Sequence, residues 1–257
     1  MTSPQTAPQT VTYRSSIEQL RSAQKSGAGE PAYLRWVNRP LGAKAAAAAH
    51  VIGLTPNAVT TISGALSLGG LAVLALAGTT PVGAVTASAM LLAGFVLDSA
   101  DGQLARLAGA GSIAGEWLDH VVDAVRLPAA HLALAVALWL AGVPPLVVGM
   151  ALVFSVVASV WFFAATLGGK LEVAARAAAH PGGAGSSSAE SGMRTTPTWI
   201  SFAKLPYDTA ALFFLILVLP WTPVFLVAYT VLFVLTLGAA LAALTRKYRS
   251  LQRAGTP

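Results

Sequence analysis

Four aspartates lie close together in the middle of a very apolar chain. They are Asp98, Asp101, Asp119 and Asp123, four of the ten acidic residues in the 257-residue sequence. Asp98 and Asp101 are three residues apart and Asp119 and Asp123 are four apart, so each pair falls on one face of a helix. A carboxylate in or beside a bilayer is costly, and it therefore indicates a functional site by default.

Carboxylates that converge in an apolar environment repel one another and need a cation. The Gly- and Ala-rich link at residues 107–114 allows two helices to run antiparallel, so that the two aspartate pairs face each other. Carboxylate oxygens select hard ions such as Mg²⁺, Mn²⁺ or Ca²⁺. Two such ions about 3.5–4 Å apart would clamp a phosphoryl displacement. Helix capping or a solvated loop explains one or two aspartates, but not the spacing of all four.

The residues between the aspartates favour a ligand that carries phosphate. Gly102, Ala105 and Gly115 have little or no side chain, which leaves room for a large ligand against the helices. Arg106 lies one turn beyond Gly102, and its guanidinium is suited to hold a phosphate.

The elements that must position these residues are membrane helices. The chain is 55% hydrophobic and 10% charged, whereas soluble domains carry about 25% charged residues. A span needs roughly 20 apolar residues. The predicted spans are residues 58–78, 81–97, 124–142, 145–167, 207–219 (extended back toward Trp199) and 223–244. We expect the second and third to continue as helix through the aspartate region. The predicted fold is an all-α, polytopic membrane protein with six transmembrane helices.

The positions of the charged residues predict the orientation of these spans. The links after the first, third and fifth spans carry no charge, and the Lys and Arg residues fall at the opposite ends. The positive-inside rule then places both termini and the aspartates on the cytoplasmic face, in what we expect to be a bacterial cytoplasmic membrane. The net charge is +6, and the placement of the positive residues matters more than their sum. No nucleic-acid partner is predicted. The chain has no cysteine, which excludes disulfides and thiolate metal sites.

Composition also predicts the parts outside the spans. Residues 1–30 read as a polar N-terminal tail, and residues 31–54 as an amphipathic helix in the cytoplasmic interface. Residues 55–250 form the predicted catalytic domain. Within it, the Gly/Ser-rich residues 177–197 are expected to form a flexible cytoplasmic loop.

The aspartates belong to a longer pattern. It reads Asp98-x2-Asp101-Gly102-x2-Ala105-Arg106-x8-Gly115-x3-Asp119-x3-Asp123, and it resembles the signature of the CDP-alcohol phosphotransferase family at every position. Residues 55–60 (TPNAVT) are similar to the family's entry into its first span. The resemblance implies a metal-dependent transferase with two Mg²⁺ or Mn²⁺ ions. The hydroxyl of a small polar alcohol attacks a CDP-linked donor, most often CDP-diacylglycerol, and CMP and a phospholipid are formed. Many family members are homodimers.

The resemblance also assigns roles to residues of this chain. Asp98, Asp101 and Asp119 ligate metal, and Asp123 is a ligand of the second metal and the general base. The residues assigned to the nucleotide and its pyrophosphate are Gly102, Ala105, Arg106, Ser112 and Gly115, with Asn57 and Thr60 closing over them.

The motif leaves the acceptor alcohol open. Five basic residues are suited either to line an anionic acceptor pocket or to anchor the topology: Arg126, Lys170, Arg176, Arg194 and Lys204. The run at residues 115–120 (GEWLDH) looks more like that of choline/ethanolamine phosphotransferases, which act on diacylglycerol. That reaction is the alternative function.

Two side chains and one further class of protein complete the predictions. His120 is expected on a different helix face from Asp119, in a supporting role. Asp208 either caps its helix or faces a cavity. A cation-coupled transporter would more often show broken helices in two related halves with charges near the midplane. Here the acids cluster once, at one face, so a transporter is the less favoured reading.

Overall fold

The computed structural model describes residues 12–22, 27, 29–179, 197–204 and 208–254. These residues form helices and no strand. The helices are α1 (Tyr13–Ser22), α2 (Arg39–Val51), α3 (Pro56–Ala77), α4 (Pro81–Leu107), α5 (Ile113–Leu140), α6 (Pro145–Ala179), α7 (Thr198–Ala203), α8 (Thr209–Ile216) and α9 (Thr222–Ala254). A π-helical turn, Leu34–Asn38, leads directly into α2.

Five of these helices are long and apolar enough to cross a membrane. They are α3, α4, α5, residues 145–175 of α6 and residues 222–253 of α9. Each coincides with a predicted span. Helices α4 and α5 also continue through the aspartate region, as the sequence predicted. The chain is therefore an all-α protein with five candidate membrane-spanning helices.

The fifth predicted span, residues 207–219 with its extension back toward Trp199, contains two shorter helices, α7 and α8. Helix α8 has 8 residues and is followed by turns up to residue 220. Eight helical residues rise about 12 Å, which is less than the roughly 30 Å of the hydrocarbon core. Residues 205–207 lie outside the described residues, as does most of the predicted loop at 177–197. That residues 207–219 cross the membrane, which would bring the number of spans to six, stays a prediction.

The starts of the central helices follow from local sequence. Helices α3 and α4 begin with proline at the first helical position, where no backbone N–H is needed. Thr55 and Thr80 cap them, and Ser112 caps α5 by accepting a hydrogen bond from the N–H of Gly115 at 3.0 Å. Gly109, with φ +59°, makes the turn between α4 and α5. These signals set where the helices that carry the aspartates begin, and where the chain turns between them.

Helix α4 is the centre of the assembly. It packs against α2, α3 and α8, while α5 packs against α3 and α6. Small residues allow the close approach on two sides: a Cβ added at Gly42 of α2 would lie 2.8 Å from Ser99 Oγ, and one at Gly94 would lie 2.4 Å from Ser67 Oγ. This packing holds the C-terminal half of α4 between α2 and α3.

The predicted N-terminal tail contains a helix that we did not expect. Helix α1 packs on α2, with Leu20 buried and the Ser16 hydroxyl 3.0 Å from His50 Nδ1. Ile17 and Leu20 are three residues apart and form one apolar face against the alanines of α2. Residues 31–54, predicted as an interfacial amphipathic helix, contain the π-helical turn and α2, whose buried alanines also pack against Leu104 of α4. The amphipathic, interfacial character of this segment stays a prediction.

Candidate active site

Side chains from α4 and α5 bring three of the four aspartates together. One carboxylate oxygen from each of Asp98, Asp119 and Asp123 lies within 4.8 Å of the others, and all three side chains are half-buried. Spacing on two antiparallel helices predicted this meeting. Three carboxylates at this separation can hold a hard divalent cation, because carboxylate oxygen is the ligand such ions prefer.

Arg126 provides a counter-charge from within the protein. Its side chain is only 3% exposed, and its Nη2 lies 2.9 Å from Asp98 Oδ1 while also forming an ion pair with Asp123. Three carboxylates and one guanidinium, all ionised, leave a charge of −2, which a divalent ion would neutralise. Arg126 follows Asp123 by three residues, so helix geometry alone brings the two together.

Asp101 lies outside the group formed by the other three carboxylates. It is 6% exposed and accepts hydrogen bonds from the Thr60 hydroxyl of α3 and from the N–H of Gly102, both at 2.5 Å. Three residues of helix turn through about 300°, so Asp98 and Asp101 point roughly 60° apart. Helix α3 covers the flank that carries Asp101. Three of the four aspartates thus converge, while Asp101 is bonded to Thr60 of α3, and its role as a fourth ligand stays a prediction.

The residues predicted to contact the nucleotide fall into two groups. Gly102 and Arg106 line a polar cavity of about 350 Å³ that also reaches Asp98, Asp123 and Arg126.

The other group lies at the start of α5. A Cβ added at Gly115 would lie 2.9 Å from Asn57 Oδ1 and 3.1 Å from Ser112 Oγ, so these three residues are neighbours. Thr60 is committed to Asp101, and Ala105 is half-buried on α4. The nucleotide contacts of this group stay predictions.

The polar cavity has a wall that sequence reasoning missed. Leu34, Asn38 and Arg39, from the π-helical turn and the start of α2, line it, and Gln103 lines it from α4. The available signal was weak: a polar Asn-Arg pair just before Pro40 in an otherwise amphipathic segment. Burial and the nearby Asp208 carboxylate raise the pKa of Tyr33, which precedes this wall.

A second, mainly apolar cavity of about 250 Å³ adjoins the first. The two share Arg126, Leu127 and Thr209. The apolar lining comes mostly from α5, α6, α8 and α9 and includes Phe154, Trp161, Phe162, Leu212, Phe213 and Leu232. At its inner end the His131 ring stacks on Phe154, with centroids 3.8 Å apart, and His131 Nδ1 lies 2.8 Å from the Tyr229 hydroxyl.

Two further polar side chains have structural partners. Asp208 caps α8 through the N–H of Ala210 at 3.1 Å and also accepts the N–H of Leu34 at 3.0 Å, while lining the apolar cavity. Asp208 therefore both caps its helix and faces a cavity. His120 packs edge-on against Phe162, outside the three-carboxylate group.

The five basic residues considered for an acceptor pocket separate clearly. Arg126 lies at the carboxylates. Lys170 pairs with Glu116 on the surface, and Lys204 donates to the Gly29 carbonyl at 2.6 Å. Arg194 and the side chain of Arg176 lie outside what the structure describes.

Comparison with known protein families supports the motif. The sequence model of the CDP-alcohol phosphatidyltransferase family matches residues 53–246, about three quarters of the chain. All four aspartates lie inside the matched region, and α1, the π-helical turn and α2 precede it. No curated protein sequence gives a significant match. The chain belongs to the CDP-alcohol phosphatidyltransferase family, enzymes that transfer a phospho-alcohol group from a CDP-linked donor.

Proposed function

We propose that this enzyme transfers a phosphatidyl group from CDP-diacylglycerol, or a closely similar donor, to the hydroxyl of a small polar alcohol. The observation that carries the proposal is the meeting of Asp98, Asp119 and Asp123 beside Arg126, at the edge of a polar cavity. That cavity adjoins an apolar one. A lipid donor has the matching division, with a charged head group and apolar tails.

The metal ligands proposed are Asp98, Asp101, Asp119 and Asp123. The three-carboxylate group supports the assignment of Asp98, Asp119 and Asp123. The assignment of Asp101 rests on the motif alone, and its side chain also accepts a hydrogen bond from Thr60. Two Mg²⁺ or Mn²⁺ ions would neutralise the pyrophosphate and the charge that develops on departing CMP. The residues proposed to contact the nucleotide are Asn57, Thr60, Gly102, Ala105, Arg106, Ser112 and Gly115.

The proton of the acceptor hydroxyl passes to the Asp123 carboxylate. The freed oxygen forms a bond to the donor phosphorus that carries the lipid, and the phosphoanhydride bond between the two phosphates breaks. CMP leaves with the bonding electrons. A general base must lie within hydrogen-bond reach of the proton it takes, and the ion pair with Arg126 fixes the position of the Asp123 carboxylate.

Six spans with both termini in the cytoplasm complete the proposal. The uncharged links after the first and third predicted spans, and the Lys and Arg residues at the opposite ends, support this orientation. The carboxylates then lie near the cytoplasmic surface of the bacterial membrane, with residues 31–54 along that surface. Lipid tails can stay in the bilayer while the cytidine and the alcohol enter from water.

The test is CMP release by the purified protein in lipid nanodiscs with CDP-diacylglycerol and Mg²⁺. Alcohols are added singly: glycerol phosphate, inositol, inositol phosphate and serine. We expect one alcohol to give CMP and a matching lipid. Asp123→Asn should lower the rate at least about 10²-fold, and excess EDTA should abolish it. Arg14→Met, which removes only the exposed ion pair with Glu18 in α1, should keep the wild-type rate. Full activity in EDTA would contradict the proposal.

The apolar cavity favours one second candidate, transfer of phosphocholine or phosphoethanolamine from the CDP-linked head group to diacylglycerol. There the lipid would be the acceptor, and its tails would occupy the apolar cavity beside Arg126. Diacylglycerol with CDP-choline or CDP-ethanolamine in the same assay decides between the two reactions.

A further inference from the structure

The wall of the polar cavity comes from a segment that precedes the family region. The family match begins at residue 53, whereas Leu34, Asn38 and Arg39 line the cavity that Asp98 and Asp123 share. The family signature therefore does not determine what this wall presents to a substrate.

Hydrogen bonds hold the wall against the catalytic helices. The N–H of Leu34 donates to Asp208 Oδ2 at 3.0 Å, and Gln103 Nε2 donates to the Arg39 carbonyl at 3.1 Å. Arg39 also forms an ion pair with Glu30. The wall is thus fixed to α4 and to the start of α8. A π-helical turn is rare and is found frequently at functional sites.

Asn38 is the residue of this wall with an unmet hydrogen bond. Its side chain is fully buried, and Nδ2 donates to the Phe95 carbonyl of α4 at 3.1 Å. A carbonyl only accepts, so this bond fixes the orientation of the amide. The opposite atom, Oδ1, is buried and has no partner among the described residues. A buried acceptor without a donor is uncommon in proteins and calls for an explanation.

We propose that Asn38 Oδ1 accepts a hydrogen bond from a hydroxyl group of the acceptor alcohol bound in the polar cavity. This deepens the proposed function and rests on it. Phe95, which anchors Asn38, lies one turn before Asp98, and the cavity reaches the proposed base, Asp123. Asn38 then helps to select the alcohol.

The ribose of the CDP-linked donor also carries hydroxyls. The structure favours the acceptor because Asp123, the proposed base for the acceptor hydroxyl, lines this cavity together with Asn38. Of the residues proposed to hold the nucleotide, Gly102 and Arg106 line it as well, whereas Asn57, Ser112 and Gly115 do not. The kinetic experiment separates the two sources, because a lost contact raises the KM of the substrate that made it.

The experiment compares the KM for the alcohol, the KM for CDP-diacylglycerol and kcat in wild type, Asn38→Ala and Asn38→Leu. We expect the KM for the alcohol to rise about five- to tenfold in both variants, as for one lost hydrogen bond. The KM for the donor should stay within about twofold. Glu30→Gln is the matched control, since it weakens the wall's ion pair and leaves Asn38 in place.

Other results would overturn the proposal. A higher KM for the donor alone would assign Oδ1 to the ribose. Unchanged constants in a folded variant, or the same change in Glu30→Gln, would leave Asn38 as an anchor of the wall only. If both variants lose the wild-type melting curve, Asn38→Gln replaces them, since it keeps the amide and displaces it by one methylene.

A failure of the proposed function would look different, because wild type would then release no CMP with any alcohol. The melting temperature of wild type and Asn38→Leu with each alcohol at millimolar concentration would still decide the question. Stabilisation of wild type that is lost in the variant supports the contact. Equal stabilisation of both proteins, or none of either, overturns it.

Discussion

Helix α4 has two flanks that use the same residue types in opposite environments. Gly94 and Asp101, seven residues apart, lie on the packed flank, against α3. Asp98 and Gly102, four residues apart, lie on the cavity flank, along the polar cavity. A Cβ added at Gly94 would lie 2.4 Å from Ser67 Oγ, whereas at Gly102 the nearest atom is Arg106 Nη1 at 3.7 Å.

The two aspartates differ in the same way. Asp101 on the packed flank is bonded within the protein by Thr60 and Gly102. Asp98 on the cavity flank has Arg126 and two neighbouring carboxylates. The motif therefore combines residues that build a helix contact with residues left open for a ligand. Substitutions on the two flanks should separate stability from activity.

The largest effect on stability is expected for Arg126→Met. This change leaves Asp98 and Asp123 facing each other in a buried site without their counter-charge, and breaking a buried pair costs about 3–5 kcal/mol. Thermal unfolding in detergent with EDTA measures the loss. Mg²⁺ should restore more stability to the variant than to wild type, because the ion takes over the missing charge. Equal melting temperatures of variant and wild type in EDTA would show that the ion pair does not hold the cavity flank.

A pair of glycine substitutions should separate the flanks most directly. Gly94→Ala forces a methyl group into the contact with Ser67 and should cost about 1–3 kcal/mol of unfolding free energy. Gly102→Ala places its methyl group in ordinary van der Waals contact with Arg106 and should leave stability unchanged or slightly higher, since alanine favours helix. Its methyl group narrows the polar cavity, so CMP release should fall. If Gly102→Ala lost stability and kept its rate of CMP release, Gly102 would serve helix packing and not the cavity, contrary to this prediction.

The smallest effect is expected for Thr60→Val. The change removes the hydroxyl that donates to Asp101, and a hydrogen bond of this kind is worth about 1–2 kcal/mol. Thr61→Val is the control, because the Thr61 hydroxyl bonds only within its own helix, to the Asn57 carbonyl at 2.9 Å. Unfolding of both variants by heat gives the difference. Equal losses would mean that the Asp101 contact adds nothing to the packed flank.

Much of the fold was predictable because helix periodicity and capping are local. The continuation of α4 and α5 through the motif, and the meeting of Asp98 with Asp119 and Asp123, follow from spacing. The position of Asp101 does not, because a separation of three residues allows one side chain to turn toward whichever helix lies on that flank. Only the packing of α3 decides it.

The cavity wall and the shortness of α8 could not be predicted from the sequence, because both depend on contacts between distant parts of the chain. Asn38 comes into the site through contacts with Phe95, 57 residues away, and Leu34 through Asp208, 174 residues away. No local pattern contains these pairings. The length of α8 likewise depends on the turns that follow it and on its burial against α4.

The lengths of α4 and α5 have a consequence for the host membrane. Asp98 lies 17 residues after Pro81, at which α4 begins, and Asp123 lies 17 residues before Leu140, at which α5 ends. At 1.5 Å per residue both distances are about 26 Å, close to the roughly 30 Å thickness of a hydrocarbon core. With Pro81 and Leu140 at one membrane surface, as in the proposed topology, hydrophobic mismatch would act on the carboxylates directly. A bilayer of longer acyl chains would draw the carboxylates into hydrocarbon, and a thinner one would lift them into the head groups. The length of the lipid chains would then set how deep the carboxylates lie below the membrane surface.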